Sequence, residues 1–200
     1  MSDAWNIPQG AAPWFPQPSD AEGIAQNYPA LAPYTKNLAV QNGKSSGPSD
    51  DRVLEFYQPW ESDNPNPGKL TSELFPAAQS MSPQDRQETI AGDMLHHLGA
   101  INPATGMPVD PNWYAMKQEL GAARTPQHLK ADANAYAQEK ANPSYETAPY
   151  SDWDQGNRLD AYVRAGVFPN QNKEWGDFID NPKMRDIHAR MQRYLTTGTQ

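Results

Sequence analysis

Proline decides where this chain can be helical. Seven of its prolines (8, 13, 16, 18, 29, 33 and 48) fall within residues 1–50, a stretch with only six charged side chains. A pyrrolidine ring fixes φ and removes a backbone donor, so it suits the first turn of a helix and breaks the interior. No apolar period of 2 or 3.6 survives the prolines of residues 1–50. The expectation there is an extended, partly polyproline-like arm with one helical turn near Asp20–Gln26. Yet Trp5, Trp14, Phe15, Tyr28 and Tyr34 are spaced along it, and solvated linkers are poor in large aromatics. Aromatic anchors on a stiffened chain suit docking into grooves of another surface, because little chain entropy is left to lose. The alternative is an arm that folds back on its own domain or is simply disordered. Gly43 to Ser49 reads as a flexible hinge, and the compact domain is expected from Asp51 to Gln200.

Beyond Asp51 proline sits at helix entrances. Ser82, Asp110, Thr125 and Asn181 are each followed by proline, which pairs a capping side chain with a ring at the first helical position. The clearest helix is Ser82–Leu98, with Ile90, Ala91, Met94, Leu95 and Leu98 on one face and Gly99 behind. Pro111–Ala123 presents Trp113, Met116 and Leu120. The run from Thr125 to Ala141 is apolar mostly through alanine, so shallow packing is expected, with Asn142-Pro143 as its stop. Ser151–Gly166 reads as one helix with a stripe of Leu159, Tyr162, Val163 and Val167. Trp175 and Phe178 mark a short helical piece, and Asn181–Leu195 is the last helix. Val53–Tyr57 and Leu70–Phe75 are short strands able to pair across the loop between them. The expected fold is therefore mainly α: a compact bundle of about five helices with one or two short β-strands, behind an extended N-terminal arm.

Charge and composition exclude several function classes. A net charge of −8 disfavours nonspecific binding to nucleic acid or an anionic membrane. The chain has no cysteine, which removes disulfides and thiolate metal sites. No apolar run approaches the ~20 residues that a membrane span needs. No basic region followed by an apolar one stands at the start, so Sec export is not expected.

Candidate chemistry is confined to the helix Ser82–Leu98. His96 and His97 are adjacent, so they point about 100° apart and do not share a metal easily. Asp93 and His97 are four apart and could form one charge-assisted hydrogen bond. That pair reads as a satisfied core histidine before it reads as half of an acid–base or metal site; further ligands would have to come from His128, His188 or a distant carboxylate. No catalytic, cofactor-binding or metal-ligating residue is assigned, and no cofactor is expected. Trp60, flanked by Pro59, Pro65 and Pro67, either presents a recognition surface or closes the core. Lys183, Arg185, Arg190 and Arg193 make the last helix basic, which reads as a solvated face before it reads as a contact for an acidic partner or DNA.

The strings Leu-Glu-Phe-Tyr-Gln-Pro-Trp-Glu-Ser-Asp-Asn-Pro-Asn-Pro-Gly-Lys (54–69), Gly-Asp-Met-Leu-His-His-Leu (92–98) and Arg-Leu-Asp-Ala-Tyr-Val-Arg-Ala-Gly-Val-Phe-Pro (158–169), with Met-Gln-Arg-Tyr-Leu (191–195), carry a likeness. In that order they resemble an uncharacterised protein family of tailed bacteriophages and prophages, some of whose members are parts of longer virion or polyvalent proteins. The resemblance spans about residues 51–197 and brings no agreed activity with it. A strand followed by a helix bearing Asp-Met-Leu-His also resembles a zincin peptidase that lacks its catalytic glutamate.

Three functions follow as expectations. The first is a non-enzymatic structural or accessory component of a tailed-phage virion, at the head surface or head–tail junction. It would be present in multiple copies in a symmetric assembly and contact capsid, portal or tail subunits. Its partner-binding side chains would be Trp5, Trp14, Phe15, Tyr28, Tyr34 and Trp60. The second is a degenerate zincin-like metallopeptidase centred on Asp93 and His97. The third is a cytoplasmic host-takeover protein that binds one target through the Trp60 loop.

Overall fold

The structure, a computed structural model, describes residues 19–43, 53–141, 148–168 and 181–198. The hinge over Gly43–Ser49, apart from Gly43 itself, the Asn142-Pro143 stop, and Trp175 with Phe178 lie outside the described residues, as do Trp5, Trp14 and Phe15.

Residues 19–43 overturn the expected fold. In place of an extended arm they form helix α1 (Ser19–Asn27), a 3-10 turn (Pro29–Leu31), helix α2 (Ala32–Thr35) and strand β1 (Leu38–Asn42). The reason lies in where the prolines fall. Pro29 and Pro33 both stand in the first turn of their helical segments, where a missing N–H breaks nothing. Ile24 and Leu31 are fully buried in the main core. Asp20 is buried too, held by Arg86 from two sides at 2.9 and 3.0 Å. One arginine thereby ties α1 to α3 (Pro83–Leu98) across 66 residues of chain.

Strand β1 joins β2 (Leu54–Tyr57) and β3 (Leu70–Leu74) in a sheet of order β1-β3-β2, with β1 parallel and β2 antiparallel to the middle strand. The pairing of β2 with β3 across a loop is as expected; the third strand is not. A second, two-stranded sheet of β4 (Ile101–Asn102) and β5 (Met107–Pro108) occupies what reads as a connector. The expectation of about five helices and one or two strands is therefore too small at both ends.

The four caps form as the sequence suggests. Ser82 accepts from the Asp85 N–H at 3.1 Å, and Asp110 from Asn112 and Trp113 at 3.0 and 2.9 Å. Thr125 shares a capping box with His128, and Asn181 accepts from Lys183 at 2.9 Å. They open α3, α4 (Pro111–Ala122), α5 (Pro126–Lys140) and α8 (Pro182–Thr197). On α5 only Asp132 is buried, in keeping with its alanine-rich face.

The helix expected over Ser151–Gly166 is interrupted. A short α6 (Tyr150–Trp153) runs into a π turn (Asp154–Arg158) and then α7 (Leu159–Val167). One extra residue in a turn rotates everything after it, and such bulges recur at functional sites. Here the rotation separates two sets of charges. On the side facing α5, Asp154 and Arg158 meet Arg124 and Asp132: Arg124 donates to Asp154 at 2.5 and 2.7 Å and to Asp132 at 3.0 Å. Arg158 and the Tyr162 hydroxyl donate to the other Asp132 oxygen at 2.5 and 2.9 Å. Helices α4, α7 and α8 pack on one another, and Gly166 of α7 lies so close to His188 of α8 that a Cβ there would overlap the imidazole ring.

Candidate functional site

The other side of the π turn faces α3 and leaves a cleft of about 390 Å³. Its walls are Gly156 and Asn157 of the turn, Asp160, Ala161 and Arg164 of α7, Asp93 and His96 of α3, and Phe56 of β2. Helical spacing puts these side chains together: Asp93 and His96 are three apart on α3, and Asp160 and Arg164 four apart on α7.

Two side-chain contacts cross between α3 and α7. Arg164 donates through Nη2 to Asp93 Oδ1. Asp160 receives the His96 imidazole at one oxygen and Lys117 Nζ of α4, at 2.6 Å, at the other. A Cβ at Gly92 would come within 3.1 Å of the Arg164 guanidinium carbon, so a side chain there would crowd the first contact. Asp160 lies in a nearly dry place. Burial alone would raise its pKa, but the hydrogen bond with His96 and the charge of Lys117 outweigh it and hold the carboxyl below the usual range. Asp93 goes the other way: burial raises it, and Arg164 offsets only part of that. Its Oδ2 is buried without a hydrogen-bond partner.

The arrangement orients the imidazole. With Asp160 at Nδ1, the neutral ring carries its proton there and leaves Nε2 as the acceptor; the protonated ring offers Nε2–H as a donor. Among the described residues Nε2 has no hydrogen-bond partner. The His96 side chain is 38% exposed and that of Arg164 34%, while Lys117 is 4%. Two groups therefore face the cleft and a third supports them from behind.

The four histidines go to four different places. His97 turns away from the cleft and donates from Nδ1 to the Gln58 side-chain oxygen at 2.5 Å. Tyr34 meets its ring edge-on with centroids 5.7 Å apart, and Trp60 lies tilted at 5.5 Å. Burial, with a smaller push from His96, lowers its pKa to about 4, so it is neutral at pH 7. The Asp93–His97 pair suggested by the spacing does not form, because Arg164 takes the acid and Gln58 the base. His128 caps α5, and His188 holds the Tyr162 carbonyl at 3.0 Å. Among the described residues no three His, Asp or Glu side chains are placed to hold a metal ion.

Of the expected partner-binding side chains, Tyr34 and Trp60 are brought together around His97, both half-buried. Tyr28 is half-buried against Phe168, edge to face at 5.5 Å. The sequence does not point to the cleft residues Asp160, Arg164 and Gly156, nor to Lys117 behind them. Asp160 and Arg164 carried a signal, two charges one turn apart inside an apolar helix pattern, but the partners on α3 and α4 are visible only in three dimensions.

Compared with protein-family models, curated proteins and solved structures, the chain matches none.

Proposed function

We propose that this protein is a non-enzymatic structural or accessory component of a tailed-phage virion, made in the host cytoplasm and contacting capsid, portal or tail subunits in multiple copies. Contact with those subunits is assigned to the leading run Met1–Pro18. That run holds Trp5, Trp14 and Phe15 with four prolines and a single charged residue, Asp3. The observation that carries the reading is how the run is attached. It leads directly into α1, which the buried Asp20–Arg86 pair fixes to α3. A run rich in aromatic side chains suits docking into grooves of a neighbouring subunit, and a partner that grips it is linked through α1 to the core. The family resemblance over residues 51–197 points the same way.

Two truncations test it. Removing residues 1–18 leaves a folded protein that no longer enters particles. Removing residues 1–45 also takes away Asp20, Ile24, Leu31 and β1, and abolishes folding. Incorporation of the shorter truncation at the level of the full chain overturns the proposal. Mass spectrometry of purified particles separates it from a host-takeover role, in which the protein is found in infected cytoplasm and not in virions.

A further inference from the structure

We propose that the cleft between α3 and the π turn is a binding site for a small oxyanion, a carboxylate or phosphate group on a compact molecule, gripped by Arg164 and His96. The inference does not rest on the virion reading.

Spare donors select the sign of the ligand. Around the cleft stand Asp93 and Asp160, Arg164 and Lys117, and His96. The two acids are already paired with the two permanent cations. Arg164 uses one N–H on Asp93 and keeps the others for a ligand, and a guanidinium fork suits a two-oxygen group. His96, turned by its Nδ1 contact with Asp160, adds Nε2 from the other helix.

Geometry selects the size. A volume of about 390 Å³ lies near the low end of the ~300–1,000 Å³ usual for small-molecule sites. Gly156 leaves the turn without a side chain, Phe56 and Ala161 give apolar walls, and Asn157 adds an amide. Asp93 adds an open acceptor beside the cleft. Its Oδ2 is buried without a hydrogen-bond partner, and Asp93 is one of the residues that line the cleft; buried polar atoms without partners are few in folded proteins.

The test is a titration of the full chain with sodium phosphate and, separately, with sodium acetate at matched ionic strength. It is followed by the imidazole resonances of His96 and by calorimetry. Binding of either ion with displacement of the His96 signals supports the site. Phosphate alone identifies a phosphoryl ligand, and both ions together identify a general oxyanion site. Arg164→Met should weaken the binding at least about tenfold, the worth of one charge-assisted hydrogen bond. His96→Gln, an exposed change, should do the same while circular dichroism stays that of the parent, so the test does not depend on Arg164→Met folding. Unmoved His96 signals with both ions, or binding that survives His96→Gln, overturns the proposal.

Discussion

The π turn has charged clusters on both sides, and they are built from the same materials to opposite ends. Toward α5, Arg124 and Arg158 share Asp132, Arg124 also holds Asp154, and Asp132 accepts at both oxygens from inside a site with no solvent exposure. Toward α3, Asp93 keeps one oxygen unpartnered and His96 keeps Nε2 without a partner among the described residues. The difference teaches how to tell a pin from a place of binding. A saturated, sealed cluster only holds elements together, because adding a ligand would break more bonds than it makes. A cluster with open valences beside a cavity has something to offer a visitor.

The strongest way to break this comparison is Asp132→Ala. It strips a carboxylate from two buried arginines, and truncating one side of such a network costs about 3–5 kcal/mol. Denaturant unfolding should show that loss; a change below about 1 kcal/mol would mean the sealed cluster holds nothing. Gly166→Ala comes next. It drives a methyl into the His188 ring, and overpacking of this kind costs about 1–3 kcal/mol. It tests whether α7, the wall common to both clusters, is held in place by α8.

Acid sharpens the comparison differently. His97 has a folded-state pKa of about 4, below its ordinary 6.5, so protons bind the unfolded chain more readily. Its contribution to stability is complete above pH about 6.5 and is lost as pH falls from there toward 4. His188, lowered by burial, acts in the same sense. Stability measured against pH should decline through that window, and His97→Gln should reduce the decline without removing it. A slope identical in parent and variant would contradict the neutral, buried imidazole.

The smallest effects are expected on the open side. Asp93→Asn removes a charge that burial already disfavours and keeps the shape, so unfolding should shift by less than about 1 kcal/mol. Gly92→Ala combines a helix-propensity gain of up to about 1 kcal/mol with a crowded Arg164 guanidinium. Its net stability change should be near zero, while oxyanion binding falls. If either substitution destabilises as much as Asp132→Ala, the two clusters are alike and the distinction fails.

What could be read from the sequence was what depends on neighbours in the chain. The caps at Ser82, Asp110, Thr125 and Asn181 are local devices, and all four stand where the residue types place them. The stripe Ile90, Met94, Leu95, Leu98 is buried because helical spacing makes it so. Two features needed distant partners and escaped. Strand β1 has little strand character of its own and is held by β3, whose residues follow about thirty positions later. The π turn has no local signature in Asp154–Arg158; it forms where Arg124 and Asp132 capture that turn's charges on one side. The cleft inherits this obscurity, since its Asp160 and Arg164 acquire meaning only once the turn has rotated them toward α3. Within residues 1–50 not every proline interrupts: Pro29 and Pro33 stand at the beginnings of helical turns.

The order β1-β3-β2 has a consequence for synthesis. Both outer strands leave the ribosome before the inner one, and neither hydrogen-bonds the other. A nascent chain that stops short of Leu70 holds two ribbons with no template between them. The sheet is completed by insertion, and Leu70–Leu74 is the keystone that arrives last.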